Sequence, residues 1–160
     1  MSRADRPSAT PSATATLHIA ASPEAVYALV TDLPTLAAMA EETAAMRWRK
    51  GDSVGPGAVF VGDTQNGDRS WSTTCTVTDA EPGHVFAFDV RHTVLPISRW
   101  RYDIAAVDGG CQVTESTWNR SPGWFRKLAP RATGVVNRAA ANAEHIRLTL
   151  ERLKQRAEAG

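Results

Sequence analysis

The sequence predicts an α+β domain in which a seven-stranded curved antiparallel sheet wraps around a long C-terminal helix, with two short helices after strand 1. Three observations predict it. Between residues 44 and 118, apolar and polar residues alternate in six segments separated by turn signals. A strand and two short helical patterns come before that stretch, and one long helical pattern over residues 131 to 157 comes after it. A single helix amphipathic over that length must lie on the sheet, and so broad a sheet under one helix has to curl around it.

The first strand is "ATLHIA", residues 15 to 20. The segment "SPEAVYALVTDL" then reads as a helix with Ser22 as N-cap, Pro23 at the first helical position and Glu24 in the first turn. Asp32 caps a second helix over "TLAAMAEE", with Pro34 close behind the cap. The strands follow in "AMRWRKG", "AVFVGDT", "SWSTTCTVTD", "HVFAFDVRH", "SRWRYDIAAV" and "CQVTESTW". In the long helix, Val135, Ala139, Ala143, Ile146, Leu150 and Leu153 keep helical spacing, and Glu144/Arg147 and Glu151/Lys154 pair on its wet face.

At 160 residues the chain makes one domain with room for a core and a cavity. Its 18 Lys and Arg nearly balance 17 Asp and Glu, so the one-sided charge of a nucleic-acid binder is absent. The opening "MSRADRPSATPSATAT" is small and polar, which argues for a disordered lead-in over residues 1 to 13 and against a secretory signal. No run is long enough to span a membrane, and a cytoplasmic location is expected. Cys75 and Cys111 lack CxxC spacing, and His18, His84, His92 and His145 lack HExxH or HxH spacing, so neither a metal nor another cofactor is expected.

This order of elements, with "ASPEAVYALVTDL", "VGPGAVFVG", "WSTTCTVTDAEPGHVFAFDV", "GGCQVTESTW" and the closing "TLERLK", resembles the helix-grip (SRPBCC, START-like) superfamily. That superfamily includes START domains, birch-pollen-allergen-like proteins and the polyketide cyclase/dehydrase and lipid-transport family. The resemblance covers nearly the whole chain and delimits a single domain over residues 14 to 158. It implies a deep cavity between sheet and long helix that holds an apolar or amphipathic small molecule. It implies no particular activity, because the superfamily has no shared catalytic signature. The glycine-rich loop of the plant-allergen branch is not matched by "GDSVGPG", so Gly51, Gly55 and Gly57 are read as turn residues.

Side-chain alternation identifies the inner face. A two-residue loop at Gly109 and Gly110 would set Ile104 opposite Glu115 and Tyr102 opposite Thr117. A four-residue loop over residues 80 to 83 would set Val77 opposite Phe86, Cys75 opposite Phe88, Thr73 opposite Val90 and Trp71 opposite His92. Joined across "TVLPIS", these hairpins give three rows: Cys75, Phe88, Ile104 and Glu115; then Thr73, Val90, Tyr102 and Thr117; then Trp71, His92, Trp100 and Asn119. With Val113 on the same strand and Ala139, Ala140, Asn142 and Ala143 on the helix opposite, the lining is apolar with sparse polar groups, a composition suited to a ligand pocket.

Glu115 is the unusual member. It is read as a solvated strand-end residue, a structural partner of Tyr102, a ligand anchor, or a proton donor or acceptor whose pKa burial would raise. Tyr102 and His92 complete the catalytic candidates, His92 being otherwise a packed histidine. Arg47, Arg49 and Lys50 form a basic set on the outside of the strand that points Met46 and Trp48 inward. In "SPGWFRKLAP", Trp124, Phe125 and Leu128 are read as a lid, as a cap on the core, or as an exposed docking patch.

Three functions follow as expectations. The first is a binding or carrier module for a small hydrophobic molecule such as a lipid, a polyketide-like aromatic or an isoprenoid. The second is a cyclase/dehydratase-like enzyme in which Glu115, Tyr102 or His92 moves protons. The third is a chaperone-like interaction module. The oligomeric state is left open, a homodimer being one arrangement if the edge strand near "AVFVGDT" is free to pair.

Overall fold

A computed structural model of the chain describes residues 10–40, 43–50, 54–125, 127–128 and 138–160. Strand β1 (Ala13–Ile19) is followed by α1 (Pro23–Val30) and α2 (Leu33–Met39). Strands β2 (Thr43–Lys50), β3 (Val59–Asn66), β4 (Arg69–Glu81), β5 (Val85–His92), β6 (Leu95–Val107) and β7 (Gly110–Asn119) come next, and helix α3 (Arg138–Ala159) closes the chain. The seven strands form one antiparallel sheet in the order β1-β7-β6-β5-β4-β3-β2. This is the helix-grip architecture that the element order predicts.

The capping chemistry of the short helices is as read from the sequence. Ser22 Oγ accepts from the Ala25 amide at 3.1 Å, and Asp32 Oδ2 accepts from the Thr35 amide at 3.2 Å. Residues 131 to 137, where the sequence predicts the start of the long helix and Val135, lie outside the described residues, as do residues 1 to 9 of the lead-in and Gly51. The fold starts earlier than the boundary drawn at residue 14, because Ala13 already pairs with Thr117 and the Ser12 amide donates to the Thr117 carbonyl.

Helix α3 buries Asn142, Ile146, Thr149, Leu150 and Leu153 against β1, β7, α1 and α2. Its C-terminal half is tied down at two places. Arg152 Nη1 donates to the Met39 carbonyl at 3.0 Å, and Glu158 Oε2 accepts the Ala20 amide at 3.0 Å while its carboxylate pairs with Lys154. On the wet face Arg147 bridges Glu144 and Glu151, so the expected Glu151/Lys154 pair is replaced: Glu151 is taken by Arg147 and Lys154 turns to Glu158.

Strand register departs from the sequence reading by even steps, which leaves each inward set intact and changes its neighbours. The β6–β7 turn is Asp108-Gly109, with Val107 opposite Gly110, so Tyr102 faces Glu115, Ile104 faces Val113 and Trp100 faces Thr117. Asp-Gly supplies the positive φ that this turn requires at Gly109 (+78°). Between β4 and β5 the loop is three residues, Pro82, Gly83 and His84, and a bulge between Val77 and Asp79 restores the inward face. Val77 therefore lies opposite Phe88 and Cys75 opposite Val90, instead of Phe86 and Phe88. The β5–β6 connection is a tight turn at Thr93 and Val94, and β6 starts at Leu95, which shortens the expected "TVLPIS" link and places Phe86 opposite Tyr102 and Phe88 opposite Trp100. The strand containing "AVFVGDT" is internal, paired on both sides by β2 and β4; the sheet edges are β1 and β2. An edge-to-edge dimer through β3 is thereby removed.

Gly110 has a second constraint, since a Cβ there would lie 2.1 Å from the Ile19 carbonyl oxygen at φ +151°. Gly109 has open space around its Cβ position. Gly109→Ala is expected to cost about 1–2 kcal/mol from the left-handed backbone alone. Gly110→Ala should cost clearly more, because β1 must also move; urea denaturation of the two variants side by side checks the order.

Candidate functional site

The corrected registers bring three rows of side chains across the concave face. One runs Ala80, Phe86, Tyr102, Glu115 and Ala15; the next runs Val77, Phe88, Trp100, Thr117 and Ala13; a third runs Trp48, Phe60, Cys75, Val90, Ser98 and Asn119. Phe86, Phe88, Val90, Cys75, Tyr102, Ile104, Val113, Glu115 and Thr117 are all buried. Burial pushes the Cys75 thiol up to about 12, which leaves it a neutral packing group.

Glu115 is the charge-bearing exception on this face, at 2% exposure. Its cross-strand neighbours are Tyr102 on β6 and Ala15 on β1, and its nearest inward neighbours along β7 are Val113 and Thr117. The Tyr102 hydroxyl donates a hydrogen bond to its carboxylate. Thr117 is turned to its own strand pair, donating to the Arg99 carbonyl at 3.0 Å. Oε1 of Glu115 has no hydrogen-bond partner among the described residues. Desolvation pushes the carboxyl up to about 8, and the bond from Tyr102 offsets part of that rise. Tyr102 itself is pushed upward by its own burial and then by the neighbouring carboxylate. The reading of Glu115 as a solvated strand-end residue is corrected: its row lies beneath covering structure, away from the rim.

One row away, helix α3 arrives from above. The His145 ring meets Trp100 edge to face, with centroids 5.9 Å apart, and Trp100 Nε1 donates to Ser98 Oγ at 3.1 Å. Asn142, one turn earlier on α3, is buried at 8%. Ala139, Ala140 and Ala143 are exposed, so the small-residue face that the sequence placed opposite the sheet does not cover it. Ala139 lies on the same arc of the helix as Asn142, Ile146 and Leu150, so its exposure comes from its place at the N-terminal end of α3, where Asn142 is the one buried residue before Ile146.

The structure separates the other candidates. His92 lies six residues along β5 from Phe86, about 20 Å at strand rise, and its Nδ1 is 3.1 Å from the Ser72 carbonyl. It belongs to the far end of the sheet with Thr73 and Trp71. Thr73 is half-buried there, 3.5 Å from the Gly62 carbonyl. Trp71 helps to line a separate cleft of about 420 Å³ with Ala44, Asp63, Thr64, Gln65, Ser70 and Ser72. Trp124 and Leu128 are exposed at 57% and 50%, which corrects their reading as a core cap.

Two residues of the face escaped the sequence reading. Phe60 is fully buried and stacks edge-on against both Trp48 and Phe88, at 5.8 and 5.1 Å, because the strand that carries it is internal instead of an edge. The apolar alternation Ala58, Phe60 and Gly62 was a usable signal. His145 carried no local signal, since its meeting with Trp100 depends on where α3 crosses the sheet.

The chain matches the model of the polyketide cyclase / dehydrase and lipid transport family over residues 10–158. The protein belongs to this family. No match to a curated protein sequence was found. Among solved structures it is similar to the di-domain ARO/CYC protein StfQ of the steffimycin biosynthetic pathway, at TM-score 0.72 and 13% identity, covering 91% of this chain and 50% of that one. It is also similar to the di-domain ARO/CYC protein BexL of the BE-7585A pathway, at TM-score 0.65 and 22% identity, covering 92% and 50%. A third is the polyketide-cyclase-like protein Cgl2372 of Corynebacterium glutamicum, at TM-score 0.61 and 24% identity, covering 91% and 90%. The chain thus spans about half the length of the two di-domain proteins. At these identities the likeness bears on the fold.

The buried carboxyl links folding to pH. Glu115 titrates near 4.5 when unfolded and at about 8 when folded, so the native state holds its proton more tightly. The contribution is fully present below pH 4.5 and declines as pH rises, by up to about 1.4 kcal/mol per unit, until it is lost above pH 8. Denaturation midpoints measured from pH 4 to 9 should fall over this window in the wild type, and Glu115→Gln should flatten the slope.

Proposed function

We propose that this member of the family binds a small hydrophobic or amphipathic molecule, of lipid, polyketide-like aromatic or isoprenoid type, against the concave face beneath α3. Glu115 and Tyr102 serve as its polar anchor. The observation that carries the reading is the unpartnered Oε1 of Glu115, buried on an otherwise apolar surface. A buried polar atom without a partner is costly, and a ligand group that engages it recovers that cost. With its carboxyl titrating near 8, Glu115 is mainly protonated at neutral pH and donates to a carbonyl or ether oxygen of the ligand. Phe86, Phe88, Ile104, Val113 and Trp100 supply the apolar contact around that anchor.

Native mass spectrometry of the purified protein should reveal a co-purifying small molecule. With a neutral aromatic ketone as probe, affinity should fall above pH 8 as the donor proton leaves. Glu115→Gln keeps an N–H donor and should bind with flat pH dependence, while Glu115→Leu should bind about tenfold more weakly at pH 7. Equal affinity of the wild type and the Leu variant across this range would exclude the anchor role.

A second reading, a cyclase/dehydratase-like enzyme, is favoured by the contact between Glu115 and Tyr102. A carboxyl poised about one unit above neutral pH can give or take a proton, and Tyr102 can steady its charged form. The face would fold a flexible substrate so that proximity supplies much of the rate. In this reading Glu115→Gln binds normally yet turns over at least a hundredfold more slowly; equal loss of binding and turnover points back to a carrier.

A further inference from the structure

The exposed apolar side chains of this protein are not scattered. Among the described residues the large ones are Val94 at 85%, Trp124 at 57%, Leu128 at 50% and Val107 at 38%. Val94 is in the β5–β6 turn, and the segment carrying Trp124 and Leu128 leaves the sheet where β7 ends. These points lie at the same end of the sheet, since Asn119 pairs with Ser98 and the Arg120 amide donates to the Ile97 carbonyl. Val107 is at the opposite end, in the β6–β7 turn. Phe125, half-buried, packs edge-on against Trp124 with centroids 6.0 Å apart.

Among the described residues the exposed charge around this end is mainly basic: Arg69, Arg91, Arg120 and Lys127 are exposed there. Arg120 is paired with Asp89, at 2.9 Å. Lys127 is exposed between Trp124 and Leu128, and Arg91 is exposed near the end of β5. The acids described near this end are Asp68, beside Arg69 in the β3–β4 turn, Asp63, which pairs with Arg47, and Asp89.

We propose that this end of the sheet, through Trp124, Leu128 and Val94 with the basic residues around them, docks the protein on an anionic lipid surface. Tryptophan and aliphatic side chains among lysines and arginines suit the bilayer interface, where apolar groups enter the acyl boundary and cations meet phosphate headgroups. A nucleic acid would engage the cations and leave Leu128 and Val94 without a role. The dock does not depend on Glu115 or on the ligand it binds.

The test is co-sedimentation of the full chain with vesicles of pure phosphatidylcholine and of phosphatidylcholine containing phosphatidylglycerol. Binding should be at least about tenfold stronger to the anionic vesicles and should weaken with added salt. Trp124→Ser with Leu128→Ser, and separately Val94→Ser, should each reduce it, and Lys127→Glu should reduce it further on anionic vesicles. These positions are exposed, and an unchanged circular dichroism melt verifies the fold of each variant. Failure to bind either vesicle, equal binding to both, wild-type binding by the Trp124/Leu128 variant, or binding to a single-stranded oligonucleotide in place of vesicles would overturn the proposal. Glu115→Gln should bind vesicles as the wild type does, which separates this test from that of the ligand site.

Discussion

Every strand of the sheet must keep its apolar side chains on the face turned toward α3, and the rest of the structure is arranged around that requirement. A register slip of one residue would turn Phe86, Phe88 and Val90 to water together. The chain therefore shifts only by steps that preserve the face. The three-residue loop at Pro82, Gly83 and His84 would by itself put β4 out of phase, and the bulge after Val77 compensates by one residue. A second irregularity opposite Val90 and Arg91 does the same for the start of β6. The result is a continuous aromatic band from Trp48 through Phe60 to Phe88 and Phe86.

Glu115 gains its chemistry from the same requirement. Because β7 lies between β1 and β6 and beneath α3, an inward carboxylate there has no route to water through either neighbouring strand. Its proton becomes part of the folded state, and its hydrogen bond with Tyr102 is possible because the two residues are directly opposed. A carboxyl in this setting gives a donor to an otherwise apolar surface at neutral pH. On the outer face Asp63 is held by Arg47 and Ser72 in contacts open to water and correspondingly weak, while Asp89 is held by two bonds from the part-buried Arg99 and by Arg120.

The two proposed surfaces are separated along the strands. The Glu115 row sits under the crossing helix, whereas Val94 and Trp124 sit beyond the last paired residues of β5, β6 and β7. The curvature buries the Glu115 row and leaves Val94 and Trp124 exposed at the rim, so the two proposals do not compete for the same surface.

By itself the sequence determined the class and order of elements, the caps Ser22 and Asp32, and the inward-facing set that includes Glu115. Each of these depends on local periodicity and short-range hydrogen bonding. Tertiary structure decided which residues became neighbours. Turn type and bulges shifted Tyr102 from Thr117 to Glu115 and Phe88 from Ile104 to Trp100, changes invisible to alternation because an even shift preserves the face. The placement of α3 decided that His145 meets Trp100 while Ala139 and Ala143 face solvent, a property of packing between elements more than forty residues apart. Alternation could thus mark the acid as inward, and only the assembled sheet could supply its partner and leave one of its oxygens without one.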